Sequence, residues 1–144
     1  MQGLKHMDKK KLFFASIVGA SAGLAIIALG ENLVLPKFYS LPTGVDPKDK
    51  NALAAAIATM PIGAFLALLV NYGLASLLGG LAASLVVGRD NKKPALIVGV
   101  LLTMAGLANC IMVPQPIWFT ALNLLEYLPF AYLGFLIVQK KQVL

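Results

Sequence analysis

The chain has 144 residues, of which 59% are hydrophobic and only 12% charged, with a mean hydropathy of +0.83 and a net charge of +6. Nearly all of that length is needed by bilayer and interface, so a separate soluble domain does not fit and the chain reads as one transmembrane domain over 1–144. Nine of the twelve basic residues fall in three clusters, Lys5/Lys9/Lys10/Lys11, Arg89/Lys92/Lys93 and Lys140/Lys141, with apolar runs between them. This is the pattern of cytoplasmic loops that orient a membrane protein and touch anionic headgroups, not that of a nucleic-acid surface.

The first apolar run, expected as a span over 12–35, follows the basic N-terminus. It is longer than the apolar core of a signal peptide, and Glu31-Asn32-Leu33-Val34-Leu35-Pro36 lacks the small-x-small cleavage pattern, so it is expected to stay as a span. It leaves the membrane at Pro36-Lys37-Phe38-Tyr39, where two aromatics suit the interface. In the loop beyond, Asp46-Pro47 reads as a helix start, because a carboxylate accepts from orphan amides and proline suits the first helical position. From Pro47 the pattern stays helical for roughly 42 residues, about 63 Å, twice what a bilayer of about 30 Å requires. Pro61 is the expected kink. It would divide an outer interfacial helix at 47–59, anchored by Ala52, Leu53 and Ile57, from a second span at 62–87.

After the tight inner loop Arg89-Asp90-Asn91-Lys92-Lys93-Pro94, a third span is expected at 95–113 and a fourth at 117–138, with a second kink at Pro129. By the positive-inside rule both termini are cytoplasmic, and Lys37, Lys48 and Lys50 lie outside with Asp46 and Asp49. The fold expected is therefore an all-α integral membrane four-helix bundle with a kinked, extended second helix and a structured outer loop. A shift of 80 residues lays Ile17-Val18-Gly19 on Ile97-Val98-Gly99, and one of 68 lays Met60-Pro61 on Leu128-Pro129, a hint of parallel two-span repeats.

Small residues recur every four positions: Ala15/Gly19/Gly23 in span one, and Ala75/Gly79/Ala83 beside Ser76/Gly80/Ser84 in span two. In lipid such stripes let helix backbones approach closely. They serve either the internal seam of the bundle or a homo-oligomer face, and the two adjacent stripes of span two allow one of each.

Two carboxylates lie within apolar runs. Glu31 sits roughly 7–8 Å below the outer boundary at Pro36, and Glu126 roughly 15 Å below Pro116, near the midplane. Amides lie at matching depths, with Asn32, Asn109 and Asn123 in the outer layer and Asn71 beside Glu126 in the deeper one. A charge at the bilayer centre costs at least about 2.5–3.5 kcal/mol, so both glutamates are expected to face protein or water. The spans hold no Lys, Arg or His to pair with them. Two readings stay open: a proton or cation relay, or a neutral acid that fixes helix register through hydrogen bonds. Phe38, Tyr39, Trp118 and Phe119 read as an interfacial belt.

Catalysis has little to stand on. Cys110 is the single cysteine and lies in an apolar run, which excludes an intramolecular disulfide. His6 is the only histidine, which excludes two-histidine haem ligation and a His-rich metal site within one chain. No metal, cofactor or enzyme activity is expected.

The string of Glu31, Tyr39-Ser40-Leu41-Pro42-Thr43-Gly44-Val45-Asp46, Met60-Pro61-Ile62-Gly63-Ala64, Asn109 and Val113-Pro114-Gln115-Pro116-Ile117-Trp118-Phe119 resembles an uncharacterised family of small four-span bacterial inner-membrane proteins. The resemblance covers about residues 12 to 138. Members tend to carry histidine between the two prolines where this chain has Gln115, which weakens any case for metal or proton chemistry there. The resemblance implies a bacterial cytoplasmic membrane location and no particular activity.

The leading expectation is a non-catalytic accessory or assembly subunit that packs through its small-residue faces onto itself or a larger membrane complex. The competing one is a small transporter or channel built on Glu126, Asn71 and Glu31. What separates them is whether the polar residues meet around a water-accessible cavity or close on one another.

Overall fold

The computed structural model describes residues 8–88 and 90–140; Lys5, His6, Arg89 and Lys141, singled out above, lie outside the described residues. Among those described there is no strand. The helices are α1 (Lys9–Leu29), α2 (Lys50–Ala58), α3 (Ile62–Val87), α4 (Lys93–Met112) and α5 (Ile117–Lys140). α1 runs on through a wider π turn at Gly30–Val34 and a tight 3-10 turn at Leu35–Lys37. With that extension α1, and likewise α3, α4 and α5, is long and apolar enough to cross a membrane. The protein is a multi-pass membrane bundle.

The bundle is built around α3, which packs against α1, α4 and α5, while α4 also packs against both α1 and α5. The two small-residue stripes of α3 account for this. Residues one apart in a helix point about 100° apart, so neighbouring stripes serve different neighbours. Ala75, Gly79 and Ala83 face α1: a Cβ at Gly79 would lie 2.8 Å from the Gly19 carbonyl, one at Gly19 only 2.7 Å from the Ala83 Cβ, and one at Gly23 3.2 Å from the Ala75 carbonyl. Ser76 and Gly80 face α5. A Cβ at Gly80 would collide with the backbone of Ala131, one at Gly134 with the carbonyl of Leu77, and the Ser76 hydroxyl donates to the Tyr127 carbonyl. Ser84, at the Gly88 end of that second stripe, packs as a small residue and makes no hydrogen bond to a neighbouring helix. It is fully buried, but its hydroxyl turns back to the Gly80 carbonyl of its own helix at 2.7 Å. A buried hydroxyl has to be satisfied, and one turn back along α3 is the nearest acceptor, so Ser84 fills the seam as a small side chain without tying α3 to a neighbour. All the small residues of the three stripes are buried within this one chain. Neither stripe of α3 is left over for a second copy.

The segment between α1 and α3 differs from the expectation in two ways. Its helix starts at Lys50, not Pro47, because Asp49 rather than Asp46 is the cap and accepts from the amides of Asn51 (3.0 Å) and Ala52 (3.3 Å). Asp46 instead closes a preceding turn, its side chain accepting from the Lys48 amide at 2.9 Å and its carbonyl from the Asp49 amide at 3.0 Å. At Pro61 the chain breaks rather than kinks: Pro61 is extended (ψ 149°) and stands as the N-cap of α3. α2 is held down by Tyr39, whose hydroxyl donates to the Ala56 carbonyl at 2.7 Å. Leu53 and Ala56 are buried, and Ile57 packs on the bundle core. Tyr39 is therefore a tie between segments and not simply an interfacial anchor.

Phe119 also departs from the interfacial belt. It is fully buried, its ring 5.1 Å from that of Phe65 and 6.5 Å from that of Tyr72, while Trp118 stays at the exposed edge. At the other end of α3, Gly88 takes φ +87°, a left-handed conformation that turns the chain sharply into the inner loop. Tyr132 meets Lys92 there, with the ammonium 6.0 Å from the ring centroid. The repeat finds a partial counterpart only. Gly19 and Gly99, matched by the 80-residue shift, each receive the following span closely, but Pro61 caps α3 whereas Pro129 lies inside α5.

Candidate intramembrane polar site

The half of the bundle nearer α2 holds two polar groups of different construction. The first lies where α1 meets α3. Asn71 donates its side-chain amide to the Ile27 carbonyl at 3.2 Å, and its side chain occupies the space that any Cβ at position 30 would need. Any larger residue at that position would displace the Asn71 amide. A side chain inserted into the ladder of a helix is a recognised cause of local widening, and the π turn begins at this glycine. The wider turn carries Glu31, whose carboxylate accepts from the Tyr72 hydroxyl at 2.7 Å. Glu31 and Asn71 are thus both tied across the α1–α3 seam. A cavity of about 10 Å³ beside them, lined by Gly30, Leu35, Leu68 and Asn71 among others, has room for about one water at most.

The second group lies on α5. Asn123 is fully buried; neither atom of its side-chain amide makes a hydrogen bond of good geometry, and the Tyr127 side chain one turn on is its polar neighbour. Glu126, three residues on, is half-buried, with Oε1 buried and likewise unpartnered. Its Oε2 lies over the backbone of Gly73, 3.5 Å from where a Cβ would stand, and Phe130 closes the same place. Tyr127, between these elements, is buried with its ring 6.2 Å from that of Tyr72 and hard against Gly106 of α4. The bond from Ser76 to the Tyr127 carbonyl pins α3 to α5 at this level.

The six polar residues placed at matching depths do not form one group. Asn71 does not stand beside Glu126: two residues on a helix are about 200° apart, so Asn71 points to α1 while Gly73 meets α5. Asn32 is exposed and bonds back to the Ala28 carbonyl of its own helix at 2.7 Å. Asn109 is half-buried on α4 near Cys110, whose thiol reaches Gln115 Oε1 at 3.5 Å. Sequence reasoning missed Tyr72, the hydroxyl that closes Glu31, and Gly30, which makes room for Asn71. The available signals were the one tyrosine of span two, next to Asn71, and a glycine directly before an intramembrane glutamate.

The larger cavity is elsewhere. It is an apolar groove of about 330 Å³ between the first turns of α1 and α4, lined by Lys9, Phe13, Ile17, Ile97 and Leu101 among others. Neither cavity is lined by Asn123 or Glu126. Among the described residues no three His, Cys, Asp or Glu side chains stand together. Comparison with protein families, with curated proteins and with solved structures finds no match for this chain.

Proposed function

We propose that this protein is a non-catalytic accessory or assembly subunit of the bacterial cytoplasmic membrane, with both termini on the cytoplasmic side. The observation that carries the reading is the closure of the Glu31 group. The carboxylate and the amide that a conduction path would need to expose are used to hold α1 on α3, at 2.7 and 3.2 Å. A relay needs polar groups that meet along a wet path, and these are taken up by the Tyr72 hydroxyl and the Ile27 carbonyl. Because both small-residue stripes of α3 are used inside the chain, a partner has to engage a different face from the one expected.

One observation favours the transporter reading: the buried Asn123 Oδ1 and Glu126 Oε1 are acceptor oxygens that a proton or cation would satisfy. The two are separated by purifying the protein in mild detergent, identifying what comes with it, and measuring flux after reconstitution. The subunit reading expects stoichiometric co-purifying protein, whether further copies or other chains, and no proton or cation flux. A flux that Glu126→Gln abolishes would replace it by the transporter. For orientation, cysteines at Lys48 and Lys92 in a Cys110→Ala background are expected to be labelled from opposite sides by an impermeant maleimide. Labelling from the same side would remove a span.

A further inference from the structure

The end of the bundle where α1 and α4 both begin carries charge and hydrocarbon side by side. A Cβ at Gly19 would lie 2.6 Å from Val98 Cγ2 and one at Gly23 3.0 Å from Leu102 Cδ1, so the two helices run parallel and advance together. Beside that contact they leave the apolar groove of about 330 Å³, with Phe13 and Ile17 on one wall and Ile97 and Leu101 on the other. Phe13 is 69% exposed and Ile17 46%, so the groove opens outward. Each wall is headed by a lysine on its own helix face: Lys9, which lines the groove, stands four residues before Phe13, and Lys93 stands four before Ile97. Lys92 is turned aside over the Tyr132 ring. Asp8, the acid next to Lys9, is taken up as the cap of α1 and accepts from the Lys10 amide at 3.0 Å.

We propose that this groove binds one anionic phospholipid, its acyl chain lying between the walls and its phosphate held by Lys9 and Lys93. By the register of Gly19 on Val98, the walls from Lys9 to Leu101 extend over about 13 residues, roughly 20 Å, which is half of a bilayer of about 40–45 Å with its headgroups. Spread over that length, 330 Å³ leaves a slot about 4 Å across, too narrow for a helix of about 10–12 Å and suited to a single hydrocarbon chain. By the same register the Lys93 backbone lies about 7 Å deeper than that of Lys9. Side chains lean toward the start of their helix, however, and a lysine stem carries its ammonium outward, so both charges reach headgroup level. A second copy of the chain does not suit the groove, because copies of one topology present the same lysines at the same depth and repel. A phospholipid with a neutral headgroup fills the slot equally but leaves both lysines uncompensated, so charge selects the anionic one.

Native mass spectrometry of the full chain in mild detergent tests this with phosphatidylglycerol and phosphatidylcholine of equal chain length. The parent is expected to retain one phosphatidylglycerol, preferred about tenfold over phosphatidylcholine, as two lysines near the membrane surface allow. Lys9→Gln with Lys93→Gln should abolish the preference. Lys10→Gln with Lys140→Gln, the same change of charge at the same end of the bundle, should keep it. Ile17→Trp, which fills the slot from an exposed position, should lower retention of both lipids, and inorganic phosphate should not displace the phosphatidylglycerol. The proposal is overturned if the parent shows no preference, if the two double variants lose it equally, if Ile17→Trp retains lipid as the parent does, or if phosphate alone competes. A protein occupant is checked in native membranes: in a Cys110→Ala background, Ile17→Cys should give no covalent dimer and no covalent adduct with another protein on mild oxidation. Either product in high yield would overturn the lipid site.

Discussion

Glu31 and Glu126 are the same side chain in the same bundle, both within an apolar span, yet their surroundings differ completely. Around Glu31 every element is adapted: Gly30 leaves space, Asn71 fills it and holds the Ile27 carbonyl, and Tyr72 closes the carboxylate at 2.7 Å. Around Glu126 the packing is apolar: Gly73 and Phe130 close on the carboxylate, and Oε1 is buried without a hydrogen-bond partner. The lesson is that depth does not assign a role to an intramembrane carboxylate. The partners decide, and only the first of these two has them within its own chain.

The strongest way to break the comparison is to disturb the seams that both regions depend on. At Gly80 a Cβ meets the Ala131 backbone, which cannot turn aside as a side chain can, so Gly80→Leu is expected to cost about 3 kcal/mol or more and to show as loss of folded protein on heating in detergent. Gly79→Leu, against Gly19 and Val98, should be comparably damaging. Leu81→Ile, which keeps volume, should stay under about 1.5 kcal/mol. Equal tolerance at all three would remove the stripes from the account. Asn71→Leu comes next. It leaves the Ile27 carbonyl without the amide and should cost about 1–2 kcal/mol by denaturant titration, with faster hydrogen exchange in the Gly30–Val34 turn.

Much of this was legible in the sequence. Four spans follow from apolar length, and close-packing faces on α1 and α3 from small residues every four positions, because packing in lipid depends on how near two backbones can come. The pairing of polar residues was not legible. Asn71 and Glu126 share a depth, but depth fixes only one coordinate, and the rotation of α3 sends Asn71 to α1 instead. Two adjacent stripes on α3 left open whether one faced outward, and only the Gly80–Ala131 contact assigns the second to α5. Within that stripe the spacing makes Ser76 and Ser84 equivalent, yet one bonds across to α5 and the other back along α3. Asp46 and Asp49 are both plausible caps; the turn that Asp46 closes moves the helix start three residues on.

The most direct test is a paired unfolding measurement in dilute detergent, where copies are kept apart. Glu31→Leu orphans the buried Tyr72 hydroxyl and is expected to lose about 1–3 kcal/mol, with Tyr72→Phe losing part of that. Glu126→Leu removes an atom that has no partner in the chain and is expected to unfold within about 0.5 kcal/mol of the parent. Equal losses at the two glutamates, or a larger loss at Glu126, would mean that Glu126 is hydrogen-bonded inside its own chain after all and would contradict the account.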